Sequence, residues 1–224
     1  MVSSELEPKS EDIRLACAFI PDVERRAGVL ALFALLETVR EIPERVTEAL
    51  MGEIRLRWWY EAFEAIGQGR TPHYHPLTEL FQRLIPLYGL PVETFLALIE
   101  AQMPLLDKGA LTLRQAMDVV CGEEAVYQLA RMILDAEAEP SSGLQCARMF
   151  GFFQLQRSGR LTAGEFGDTE LAHLLADMRV DVRGLSTAMA PLALPAVAGL
   201  GHRRGYGPLR LRLSLLWTYL TGRV

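Results

Sequence analysis

The chain has 224 residues, half of them hydrophobic and 23% charged, which suffices for one sizeable core and excludes a disordered tail or linker. Its formal net charge of −5 argues against nucleic acid as a partner. Its three cysteines, Cys17, Cys121 and Cys146, suit neither a disulfide framework nor a structural zinc site.

Apolar residues recur at three- and four-residue spacing and no Val/Ile/Thr run alternates, so helices are expected throughout, as one all-α domain over residues 1–224. Residues 1–11 read as a flexible, polar N-terminus without the layout of a secretory signal, which points to a cytoplasmic protein. A first helix spans Asp12 to Phe19 and stops at Pro21. Asp22 then stands where an N-cap belongs and opens a second helix, Val23 to Ile42, apolar nearly all round from Val29 to Leu36 and therefore central. Pro43 ends or kinks it. A third helix covers Val46 to Ile66, closed by Gly67 and Gly69, and after a loop two more run from Leu77 to Tyr88 and from Pro91 to Leu106. Thr112 to Ala136 reads as helical with a break near Gly122, and Leu144 to Arg157 as another helix. Residues 158–167 form a loop, followed by a helix from Asp168 to Leu185. The longest uncharged stretch, Gly184 to His202, carries Pro191 and Pro195, which bars it from spanning a bilayer as a regular helix. A last helix runs from about Pro208 to Tyr219.

Charge is unevenly placed. All 28 acidic residues lie at or before Asp181, whereas six arginines and no acid follow it. Arg203, Arg204, Arg210, Arg212 and Trp217 thus mark a basic C-terminal surface. It either neutralises the acidic body or meets an anionic lipid surface or an acidic partner, peripheral to the inner membrane in the lipid case.

Glu37 and Glu41 lie four apart on the central helix, so both carboxylates project from one face. Such a pair on a buried helix is costly unless a positive group meets it, and a divalent cation or an arginine would serve. Glu53 and Glu61 flank Arg57, with Arg55 alongside. The pattern reads as a surface salt-bridge ladder or as part of a clamp holding metal and diphosphate. His73 and His75 lack an acid or cysteine at ligand spacing. Cys121 and Cys146 read as core residues, and at least one of Trp58 and Trp59 as core.

The run GEIRLRWWYEAFEAI (Gly52 to Ile66), preceded by LALFALLETVREIPERVTEAL and followed by residues 67–80 and 87–107, resembles the squalene/phytoene synthase family. The likeness is closest to the branch with a GEIRLQWW-type sequence, whose members include a mitochondrial complex I assembly factor. It implies an all-α isoprenoid-synthase fold with a central cavity. Catalytic members join two prenyl diphosphates, with Mg²⁺ held between two opposed DxxxD motifs. Glu37 to Glu41 keeps the spacing of the first motif with glutamate in place of aspartate. At the second, Gly151, Gln154 and Leu155 resemble the family's G-xx-QL segment and Gly159-Arg160 its later GR, but the Asn-x-x-Arg-Asp-x-x-x-Asp portion is missing. Asp177 and Asp181 repeat DxxxD spacing too late in the chain. The resemblance assigns Glu37, Glu41, Arg55 and Gln154 to the cavity, and Glu37 and Glu41 to Mg²⁺ if catalysis survives. It implies either a non-catalytic relative that binds an isoprenoid-like lipid or a protein partner in an assembly role, or an active Mg²⁺-dependent prenyltransferase; the residues of the basic last helix add a third reading, a membrane-surface protein acting through that helix independently of the cavity.

Overall fold

A computed structural model describes residues 4–161 and 168–224. Among these residues there are ten α-helices and no strand, the all-α class expected from the periodicity. In chain order they are α1 (Glu11–Cys17), α2 (Val23–Arg45), α3 (Ala49–Gly67), α4 (Pro76–Tyr88), α5 (Val92–Glu100), α6 (Leu113–Leu134), α7 (Leu144–Arg157), α8 (Asp168–Gly184), α9 (Leu194–Arg203) and α10 (Pro208–Thr221). Short 3₁₀ turns lie at Ser4–Leu6, Met103–Leu106 and Ala190–Ala193. Residues 162–167, most of the expected loop after α7, lie outside the described residues.

The apolar girth of α2 makes it the axis of the fold. Leu32, Phe33, Leu35 and Val39 are fully enclosed as α2 packs on α6, α3 and α1. Asp22 caps its first turn by accepting the amide hydrogens of Glu24 and Arg25, both at 2.9 Å. Next to it, Phe63 stacks on Phe95 at 4.6 Å with Phe81 against both, which ties α3, α4 and α5 together. α6 lies between α5 and α7, and α7 in turn between α6, α8 and α9. A second, smaller apolar cluster of Ala16, Leu194, Val197, Ala198, Leu211 and Leu215 seats α10 on α9 and α1.

Four local expectations are corrected. α2 runs through Pro43 to Arg45, because a proline in the last turn forfeits few ladder bonds, and the Lys108 ammonium donates to the Pro43 carbonyl. α3 starts at Ala49, since Val46 and Glu48 are extended. α6 is continuous across Gly122. A side chain there would put its Cβ 2.7 Å from Gln102 Nε2, so this glycine permits close helix packing and does not break the helix. Cys121 is exposed on α6, whereas Cys146 is buried on α7. The N-terminal segment is also engaged with the body: Ser4–Leu6 pack on α2, and Lys9 and Ser10 bond to it.

Candidate functional site

The acidic pair on α2 is met from within the chain. Glu37 accepts the backbone N–H of Lys9 at 2.6 Å on one oxygen and that of Ser10 at 3.2 Å on the other. Burial pushes its carboxyl above the ordinary range, and these two bonds draw it part of the way back. Glu41 contacts the Lys9 ammonium through one oxygen and the Arg45 guanidinium at 2.7 Å through the other. The half-buried pair therefore meets its positive groups at Glu41, in the ammonium of Lys9 and the guanidinium of Arg45 one turn on. Together with Glu5, Glu7 and His75 they line a cleft of about 260 Å³.

Arg40 leaves α2 on a different side and reaches Glu123 of α6, whose side chain is fully buried. Burial raises the Glu123 carboxyl and Arg40 opposes that rise. Gly151 of α7 closes over the pair. A Cβ at that position would stand 3.1 Å from the Glu123 carboxyl and 2.9 Å from Val120, so the helices meet this closely only with glycine. Beneath, Phe33 sits edge-on to Tyr127 and Phe150. On the outer side Arg148 bonds Glu124 at 2.5 Å, joining α7 to α6 a second time.

The remaining sequence candidates disperse. Arg55 is exposed on α3 and does not line the cleft beside Glu37 and Glu41. Arg57 pairs with Glu61 at 2.9 Å in an exposed ladder. Trp59 is buried, and the half-buried Trp58 stacks on His73 at 5.4 Å. His75 Nδ1 accepts the Leu77 N–H as the cap of α4, and burial lowers its pKa. Asp181 accepts the amide hydrogens of Gly143, Gln145 and Cys146 at 2.8, 2.9 and 3.2 Å. It is the cap of α7, contributed by α8, while Asp177 is exposed. Among the described residues no group of three or more His, Cys, Asp and Glu is placed to hold a metal ion.

Gln154 lies near the C-terminal end of α7, where two hollows adjoin. One, of about 530 Å³, is lined by Arg40, Glu44, Lys108, Gln154, Arg157 and Arg160 among others. The other, of about 290 Å³, has Phe150, Phe153, Pro195 and Gly199 in its wall. Sequence reasoning missed Lys9, Glu123 and Lys108. A signal was present for the lysines: they are the only two among 23 basic residues, and each ends up at a cleft.

At the C-terminal end, Arg203 bonds Gln156 at 2.8 Å, Arg212 pairs with Glu11 at 3.2 Å and Arg210 lies over the Tyr206 ring at 4.0 Å. Arg204 and Arg210 hold the Tyr206 hydroxyl below its usual range. Leu211 and Leu215 face inward, whereas Leu209, Leu213, Leu216, Trp217 and Leu220 are exposed, Trp217 to 59%. No helix among the described residues is long and apolar enough to cross a membrane.

The sequence model of squalene/phytoene synthase matches residues 6–153, well over half of the chain, and the chain belongs to that family. The ten helices among its described residues are the all-α architecture of the isoprenoid synthases. A search of curated proteins found no match. The matched region takes in Glu37, Glu41 and the Arg40–Glu123 pair and stops one residue before Gln154.

Proposed function

We propose that this squalene/phytoene synthase family member is a non-catalytic helical scaffold, which binds an isoprenoid-like lipid or a protein partner in an assembly role. The observation that carries the reading is that all four carboxylate oxygens of Glu37 and Glu41 are engaged by Lys9, Ser10 and Arg45.

Ionising a prenyl diphosphate builds negative charge on the leaving group, and Mg²⁺ held by free carboxylates on two sides is the family's means of offsetting it. The residues here do not fit that ion. Mg²⁺ demands a near-ideal octahedral shell of oxygens, and here the Lys9 ammonium already lies against Glu41 while two backbone N–H groups occupy Glu37. Loss of one preorganised charge-stabilising group costs about 3–4 kcal/mol in barrier, or roughly 10²–10³ in rate, and an entire ligand wall costs more. Incubation with farnesyl and geranylgeranyl diphosphates and Mg²⁺ should release no pyrophosphate above the protein-free control. Release that depends on Mg²⁺ and disappears in Glu37→Gln would establish the prenyltransferase reading instead.

A second reading has its own observation, the exposed apolar side of α10 bordered by arginines. We infer that this side rests on an anionic membrane surface, with Trp217 at headgroup depth and Arg204 and Arg210 near phosphates. Vesicles containing phosphatidylglycerol should carry the protein up a flotation gradient, neutral vesicles should not, and Leu213→Ser/Trp217→Ser should abolish flotation. Equal flotation on neutral vesicles, or by the double variant, would refute it.

A further inference from the structure

The hollow at the end of α7 differs in charge from the rest of an acidic chain. Four cations, Arg40, Lys108, Arg157 and Arg160, line it against one acid, Glu44. Glu123 neutralises Arg40, whereas the other three meet no carboxylate among the described residues. Each of the three is held differently. The Lys108 ammonium donates to the Pro43 carbonyl. Arg160 donates to the carbonyls of Leu105, at 3.1 Å, and Asp107, and its Nε is buried without a partner. Arg157 is exposed at the last turn of α7.

These anchors decide what kind of anion fits. Lys108 and Arg160 are tied to carbonyls of different segments and Arg157 is untied, so the positive charge is distributed over a hollow of about 530 Å³. With its terminal nitrogens engaged by carbonyls, Arg160 supplies charge more than the free two-pronged donor that a compact phosphate takes. Carboxylates spaced along an extended chain match such a distribution. The half-buried side chain of Gln154 has no hydrogen-bond partner among the described residues. Its amide carries both the donor and the acceptor that a main-chain peptide unit requires. Gln154 and Arg157 also line the adjoining hollow, where Phe150, Phe153 and Pro195 form an apolar wall.

We propose that the two adjoining hollows form a docking groove for an acidic, extended segment of a partner protein. Lys108, Arg157 and Arg160 face its carboxylates, Gln154 pairs with its main chain, and the Phe150–Phe153 wall takes one of its apolar side chains. The proposal rests on the non-catalytic, partner-binding reading and deepens it by naming the partner's chemistry. The basic surface around Arg204 and Arg210 is the competing seat for an acidic segment, and the test separates the two.

The probe is a short fluorescein-labelled peptide of Glu and Asp around one central Leu, its anisotropy followed as the full chain is added in EDTA. A peptide with Gln and Asn in place of the acids and one with Ser in place of Leu serve as comparisons, and inorganic pyrophosphate as competitor. Saturable binding is expected, at least about tenfold tighter than of the Gln/Asn peptide and weakened by added salt. Arg157→Glu, chosen because Arg157 holds no other part of the fold, should abolish it, and Lys108→Met should weaken it about tenfold. Absence of saturable binding, or equal binding of the Gln/Asn peptide, would overturn the proposal. Full affinity in Arg157→Glu would overturn the site, and loss in Arg204→Glu/Arg210→Glu would then place the contact on the C-terminal basic surface. A Ser peptide that binds as tightly as the Leu peptide would overturn the apolar arm. Pyrophosphate that binds more tightly than the peptide and displaces it would overturn the peptide in favour of a phosphate ligand. Failure to bind, in a protein that also releases no pyrophosphate from prenyl diphosphates, defeats the docking groove alone. Mg²⁺-dependent release with peptide binding intact defeats the non-catalytic reading alone, so the two failures are told apart.

Discussion

Two regions of the α2–α7 neighbourhood carry charge in opposite ways. Every carboxylate oxygen of Glu37 and Glu41 has a partner in the same chain, and the N-terminal segment lines the small cleft beside them. At the end of α7, Lys108, Arg157 and Arg160 line a hollow, where among the described residues Lys108 and Arg160 bond carbonyl oxygens and none of the three meets a carboxylate. The acidic region lies inside the family match, whereas the cationic wall straddles its end, with Arg40 and Lys108 inside it and Arg157 and Arg160 beyond it. The contrast teaches that motif spacing alone does not identify a ligand site. What matters is whether the charges are already satisfied by the fold.

The largest expected effect tests the neutralised side. Arg40→Met strips the partner from the buried Glu123 and should destabilise the protein by about 3–5 kcal/mol in urea unfolding. The double variant Arg40→Met/Glu123→Leu should recover most of that loss, because no buried charge then remains. A single variant no worse than a surface substitution would break the contrast by showing that this pair is not needed to hold the interior together. Gly151→Ala should come next, at about 1–3 kcal/mol, since its Cβ must displace Val120 and the Glu123 carboxyl on well-packed helices. Lys9→Ala should cost about 1 kcal/mol or less, its pair with Glu41 being partly exposed.

The pH dependence sharpens the same comparison. Glu37 has its carboxyl raised by burial, so the native state holds that proton more tightly than the unfolded chain does. Its contribution to stability is complete below the ordinary value of 4.5 and is lost as pH rises through the elevated native value. Glu37→Gln should therefore gain on the wild type as pH is raised from 4.5 toward neutrality, seen as a flatter profile of unfolding midpoint against pH. A gap that stays constant with pH would show that Glu37 does not titrate abnormally. The smallest effect belongs to the cationic side: Arg157→Glu should change stability by no more than about 0.5 kcal/mol, whatever it does to ligand binding.

The helices were legible in the sequence wherever the apolar stripe was continuous or a cap was spelled out. Asp22 before α2, Pro208 at the start of α10 and the glycine after Tyr88, at φ 63°, show this. Gly122 misled because a glycine that admits a neighbouring helix looks, in one dimension, like one that ends its own. The pairing of Glu37 and Glu41 was legible from their four-residue spacing, and so was the demand for a positive partner. That a partner is Lys9 was not, because 32 residues separate its ammonium from Glu41 and no local rule joins them. Glu123 was hidden in the same way: its pairing with Arg40 crosses 83 residues, and within VVCGEEAVY it looks like a surface residue. Asp181 had the spacing of a metal motif, and only the fold reveals that it caps another helix.

The most direct measurement is a titration of the full chain with Mn²⁺, followed by water-proton relaxation. Should Glu37 and Glu41 be consumed by Lys9, Ser10 and Arg45, wild type and Glu37→Gln will show the same weak, unsaturable response. A saturable site of one or more ions that vanishes in Glu37→Gln would contradict this and restore the acidic pair to the role its spacing suggests.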